Sequence, residues 1–105
     1  MSDLLYIGCN GTVAAIDPDS GREVWRRRLS PGILSSTSAE DVCVLEDQGR
    51  VFAGSNGHLF CIDGRNGEIL WHNELSGMGY NDVTLTIAGK AIQLVATVRH
   101  SRSNT

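Results

Sequence analysis

The chain has 105 residues, 41% of them hydrophobic and 20% charged, which is the make-up of one ordinary globular domain rather than of a disordered chain. A formal net charge of -3, with the acids scattered singly, supplies no basic field for a phosphate backbone, so no nucleic acid partner is expected. No segment is long and apolar enough to span a membrane, and Met1 to Tyr6 lacks the basic and apolar regions of a secretory signal, so the expected location is cytoplasmic, with no membrane partner.

In chain order, a first strand runs from Leu5 towards Gly8 and meets Asn10-Gly11, a pair that favours the type I′ hairpin turn. Val13-Ala14-Ala15-Ile16 follows without polar alternation, as expected of an interior strand covered on both faces. Asp17-Pro18-Asp19-Ser20-Gly21 carries turn chemistry and leads into Arg22 to Leu29, a strand bearing Trp25. A fourth strand is expected at Val42 to Leu45, with Asp47-Gln48-Gly49 turning it back into Arg50 to Gly54.

From there the pattern repeats. Asn56-Gly57 is a second hairpin pair, Leu59-Phe60-Cys61-Ile62 a second interior strand, Asp63-Gly64-Arg65-Asn66-Gly67 a second turn, and Trp71 lies on the strand after it. Gly8 and Gly54, Ile16 and Ile62, Asp17 and Asp63, Gly21 and Gly67, Trp25 and Trp71, and Ser30 and Ser76 are each 46 residues apart, with no gap needed. The offset then shortens, because the loop after Leu29 is six residues longer than the one after Leu75. Further strands are expected at Val83 to Ile87 and, beyond Ala88-Gly89-Lys90, at Ala91 to Val98. The expected organisation is two tandem repeats within 1–99, at about 4–46 and 50–98, and a polar tail at 100–105. No helix is expected.

The stretch Ala15-x-Asp17-x-x-Ser20-Gly21-x-x-x-Trp25 resembles the tryptophan docking motif of the pyrroloquinoline-quinone-type propeller repeat, found in quinoprotein dehydrogenases and in related propellers without enzymatic activity. Cys61-x-Asp63-x-x-Asn66-Gly67-x-x-x-Trp71 is a second copy, departing from the usual alanine at Cys61 and the usual serine or threonine at Asn66. The resemblance implies an all-β fold of antiparallel four-stranded blades, about two per chain. It also implies that Trp25 and Trp71 staple neighbouring blades together while Gly21 and Gly67 permit the close approach. A tryptophan suits that role on physical grounds, since it buries roughly 150–250 Å² and needs a partner for its indole N–H.

Read in the family's strand order, the chain supplies three strands of one blade, one complete blade and the beginning of a third. Blades are apolar on both faces, and about three stacked repeats are the usual minimum. Two repeats therefore predict a homo-oligomer, a ring of three or four protomers closed head to tail into a full propeller, unless the chain is a fragment of something larger.

The expected function is a non-catalytic binding or scaffold module with a protein partner. The alternative is a fragment or subunit of a quinoprotein-like dehydrogenase using pyrroloquinoline quinone and calcium, which the short chain and the lack of vicinal cysteines disfavour. No catalytic, cofactor or metal residues are predicted, and no cofactor. His58, His72 and His100 share no ligand spacing and read as surface or polar packing; Cys9, Cys43 and Cys61, without CxxC spacing, read as small buried thiols. Arg26-Arg27-Arg28 reads as charge that protects an outer strand from edge pairing. Asp17 and Asp63 read as turn residues rather than acid–base carboxylates. Gly8-Cys9-Asn10-Gly11 lacks the lysine and helix of a phosphate loop, and Asn10-Gly11-Thr12 matches a glycosylation acceptor only formally.

Overall fold

The protein is described by a computed structural model over residues 3–29, 41–79 and 82–89. Two antiparallel sheets account for its regular structure. The first has the order β1 (Leu5–Cys9), β2 (Thr12–Ile16), β3 (Glu23–Arg28); the second has the order β4 (Cys43–Asp47), β5 (Arg50–Ser55), β6 (His58–Asp63), β7 (Ile69–Asn73). Within each sheet every strand pairs with its neighbour in sequence, as a propeller blade requires, so three strands of one blade are followed by a complete one. No helix occurs among the described residues.

The hairpins close as their turn residues dictate. Asn10-Gly11 has φ 48° and 69°, Asn56-Gly57 49° and 79°, and Gln48-Gly49 53° and 82°; positive φ at both central positions is what a type I′ turn demands. The duplication extends to irregularities, since the ladder shifts register at Ala15/Ile16 in one sheet and at Cys61/Ile62 in the other.

Strand alternation decides which residues meet. In the first sheet Tyr6, Gly8, Val13, Ala15, Trp25 and Arg27 share one face, and in the second Val44, Val51, Ala53, Phe60 and Ile62 share another. These faces pack together around a buried core of Val13, Leu29, Val42, Val51, Ala53, Phe60 and Ile62, with Tyr6, Trp25, Val44 and Ile69 packed against it. Gly8 is small because Val42 lies over it: a Cβ there would stand 2.8 Å from the Val42 side chain.

The strand expected at Val83 to Ile87 is not formed among the described residues. That segment alternates half-buried Val83, Leu85 and Ile87 with exposed Asp82, Thr84 and Thr86, and Val83 lies over Gly54 as Val42 lies over Gly8. The amphipathic pattern of a strand is present without a ladder partner among the described residues. Ser30, the expected strand at Ala91 to Val98, His100 and the tail at 100–105 lie outside the described residues.

Candidate functional site

The contact between the sheets is organised by a turn. In Asp63 to Gly67 the Asp63 carboxylate accepts from Arg65 N at 2.9 Å, Asn66 Oδ1 accepts from Glu68 N at 2.9 Å, and Gly67 N donates to Asp63 O at 2.8 Å. The carbonyl of Gly64 is left pointing at the first sheet, where it accepts from Trp25 Nε1 at 2.8 Å and from Tyr6 Oη at 3.2 Å. The indole lies directly against Gly67, whose φ is +80° and where a Cβ would stand 2.6 Å from Trp25 Cε3. Arg27 Nε completes the contact by donating to Gly67 O at 2.7 Å. The Tyr6 and Trp25 rings are 6.1 Å apart, and burial followed by the nearby Glu46, Asp3 and Asp63 carboxylates pushes the Tyr6 hydroxyl above the usual phenol range.

The corresponding turn of the first repeat has the same construction. Asp17 accepts from Asp19 N at 2.9 Å, Ser20 Oγ accepts from Arg22 N at 3.2 Å, and Gly21 N donates to Asp17 O at 2.7 Å. Both aspartates thus serve backbone N–H groups. Asp63 also pairs with Arg65 at 3.1 Å, which holds its carboxyl below the usual range. Gly21, at φ +79°, faces open space.

The eight motif residues are therefore not brought to one place. Trp25, Asp63 and Gly67 meet across the inter-sheet contact, with Ala15 buried behind it. Asp17 and Gly21 lie in the turn at one open end of the molecule, while Trp71, 44% exposed, faces the other beside buried Cys61. Trp71 shares a cleft of about 210 Å³ with Leu45, Phe52, Leu59 and Leu85.

Sequence reasoning missed Tyr6, Gly64 and Arg27. Tyr6 could have been found from its position 46 residues before Phe52, whereas Gly64 has Pro18 as its counterpart and carries no repeat signal. The arginine triplet is divided: Arg27 crosses to the second sheet, while Arg26 pairs with Glu23 at 2.8 Å. Cys43 and Cys61 are buried, which pushes both thiols up, but Cys9 is exposed, correcting the expectation of three buried thiols. It ends an edge strand, where alternation carries it away from the core.

At the end of the sheets carrying the Asn10-Gly11 and Asn56-Gly57 turns, His58 Nδ1 and His72 Nε2 are 3.0 Å apart, and the His72 ring stacks on Phe60 at 4.5 Å. A cleft of about 300 Å³ beside them is lined by His58, Glu74, Leu75, Ser76, Gly77 and Gly79. Burial and then neighbouring His58 hold the His72 imidazole below its usual range, with Glu74 opposing. Polar packing, the expectation for these two histidines, is what they do. No group of three or more metal-ligating side chains assembles among the described residues.

A family profile described as "Outer membrane protein assembly factor BamB" matches residues 9–103. The chain belongs to this family. Its repeat is the quinoprotein-type blade that the two tryptophan motifs resemble. The outer membrane protein assembly factor BamB of Escherichia coli K12 is 34% identical over 93 residues, which are 84% of this chain and 23% of that protein. BamB of Salmonella typhimurium LT2 is 33% identical over 93 residues, with the same shares covered, and that of Yersinia pestis 31% over 77 residues, 68% of this chain and 19% of that protein. The chain thus spans about a quarter of the length of the BamB relatives it matches.

Proposed function

We propose that the chain is a non-catalytic scaffold module, contributing blades to a propeller that binds proteins during outer membrane protein assembly. The observation that carries this is the BamB match over residues 9–103, in which the residues of the matched motif serve packing and turn formation. Asp17 and Asp63, the paired carboxylates an enzyme might have used, are occupied by backbone N–H groups. Propellers present loops at one end as a recognition surface, and here that end carries the cleft beside His58 and the side chain of Met78, 73% exposed. The blades reach a full propeller by assembly of several protomers.

The relatives' printed names favour a site of action at the outer membrane, against the cytoplasmic location and the absence of a membrane partner expected from the sequence. Among the described residues no helix is long and apolar enough to cross a membrane.

The test is binding of a denaturant-unfolded outer membrane β-barrel protein, labelled and diluted into buffer with increasing amounts of the chain. Saturable binding with delayed aggregation of the client is expected. Absence of saturable binding up to about 100 μM, some 5 kcal/mol of affinity, would sink the reading. Titration with pyrroloquinoline quinone and calcium is the control for the dehydrogenase alternative, and no saturable absorbance change is expected.

A further inference from the structure

The two sheets meet as front to back, and each half of that contact occurs a second time at the opposite ends of the molecule, where the Val83 to Ile87 segment lies over the front of the second sheet as Val42 lies over Gly8 and leaves Trp71 44% exposed. Tyr6, Gly8, Val13, Ala15 and Trp25 form the front of the first sheet and lie on the back of the second. Their counterparts 46 residues on are Phe52, Gly54, Leu59, Cys61 and Trp71, the front of the second sheet. The uncovered back of the first sheet has Leu5, Ile7, Ala14 and Ile16, the counterparts of Val51, Ala53, Phe60 and Ile62, which do the covering inside the chain. Leu5 and Ile7 are 52% and 44% exposed, and this back carries a cleft of about 270 Å³.

Both parts of the tryptophan contact are already in place at these ends. Trp71 is held against Phe52 with ring centroids 6.2 Å apart and planes at 46°, against 6.1 Å and 40° for Trp25 and Tyr6. The Asp17 to Gly21 turn repeats the side-chain and closing hydrogen bonds of the Asp63 to Gly67 turn, and none of the described residues occupies the space over Gly21 where Trp25 fills the space over Gly67.

One place where the repeats differ is matched across the contact. At residue 64 a Cβ would stand 2.5 Å from the Tyr6 hydroxyl, so that contact needs glycine. The first repeat has Pro18 there, and the ring that would face it across the second contact belongs to Phe52, which has no hydroxyl. The larger turn residue goes with the smaller ring.

We infer that Trp71 docks on the Pro18 to Gly21 turn of a second copy of this chain, front on back, with its indole N–H donating to the Pro18 carbonyl. The occupant is a second copy because, among the described residues, one chain carries exposed Trp71 and the open turn at Gly21, the two halves of a contact that it already makes internally. This deepens the scaffold reading by naming one partner, and its test is separate from client binding, because self-association is read as mass with no client present.

Light scattering on the 105-residue chain over a range of concentrations should show mass rising above the monomer. Trp71→Ala removes the front and Ile7→Glu the back; both sites are exposed, and circular dichroism checks that each variant folds. Each variant alone should associate at least 10-fold more weakly than the parent, while a 1:1 mixture should form a dimer holding one of each, since every variant retains the half the other lacks. Three results overturn the inference. One is a parent chain that stays monomeric throughout, which leaves the face to residues 90–105 of its own chain. Another is a variant that self-associates as the parent does, and the last is two impaired variants that fail to pair when mixed.

Discussion

Gly67 and Gly21 have nearly the same backbone, φ +80° and +79°, and differ in what lies over them. Alanine at Gly21 meets only the left-handed backbone penalty, about 1 kcal/mol, whereas alanine at Gly67 also collides with Trp25 and is expected to cost about 2–3 kcal/mol. Urea unfolding of the monomer should rank them in that order. The tryptophans differ in the same sense. Trp25→Ala removes a packed ring and leaves the Gly64 carbonyl short of a donor, an expected loss of about 3 kcal/mol, while Trp71→Ala should cost the monomer less than about 1 kcal/mol. The repeat made Trp25, Trp71, Gly21, Gly67 and both aspartates legible, because these types are hard to replace where a turn or a close approach is needed. It did not reveal Gly64, which acts through a backbone carbonyl that any residue possesses, or Arg27, whose partner is another backbone oxygen in the other sheet.

Among the elements, β6 bears the greatest burden of packing, with Phe60, Cys61 and Ile62 all at or below 1% exposure. Phe60→Ala is expected to cost about 3–5 kcal/mol, read as a lowered urea midpoint, because the ring contacts both the core and the His72 imidazole. The histidine pair between β6 and β7 makes stability depend on pH with a definite sign. Above about pH 6.5 His72 is neutral in both the folded and the unfolded chain and contributes nothing; below it the unfolded chain takes up the proton first, because the folded value is lowered. Stability should therefore fall as pH drops through about 6.5 and level off once the folded imidazole is also protonated. His72→Phe should flatten that slope; a slope that persists unchanged would assign it elsewhere.

Hairpins were the most legible elements, because Asn-Gly pairs act locally and fix both φ values of the turn. Val83 to Ile87 shows the opposite case. Its alternation is a true record of which side faces the second sheet, but a strand is defined by hydrogen bonds to a neighbour, which no single segment encodes.

At the scale of the whole molecule, the two sheets share one core, and β1 and β4 are in contact across it. The chain is therefore expected to unfold in a single cooperative transition, with circular dichroism and tryptophan fluorescence superimposing on one urea curve. Trp25→Ala, which cuts the hydrogen bond between the sheets, should pull the two curves apart. What the composition could not reveal is that the two apolar outer faces are unlike: one is a front and the other a back. That polarity comes from the order in which equivalent strands are threaded, so it is visible only once the register assigns each side chain to a face.

The unequal settings of the two indoles also give the chain a built-in optical gauge. Trp25 is half-buried against a neighbouring turn and Trp71 is more exposed, so emission from the isolated chain should contain a blue component that iodide quenches weakly and a red component that it quenches strongly. Whatever comes to rest on the exposed ring will remove the second component and leave the first untouched, so that occupancy can be followed without attaching a dye.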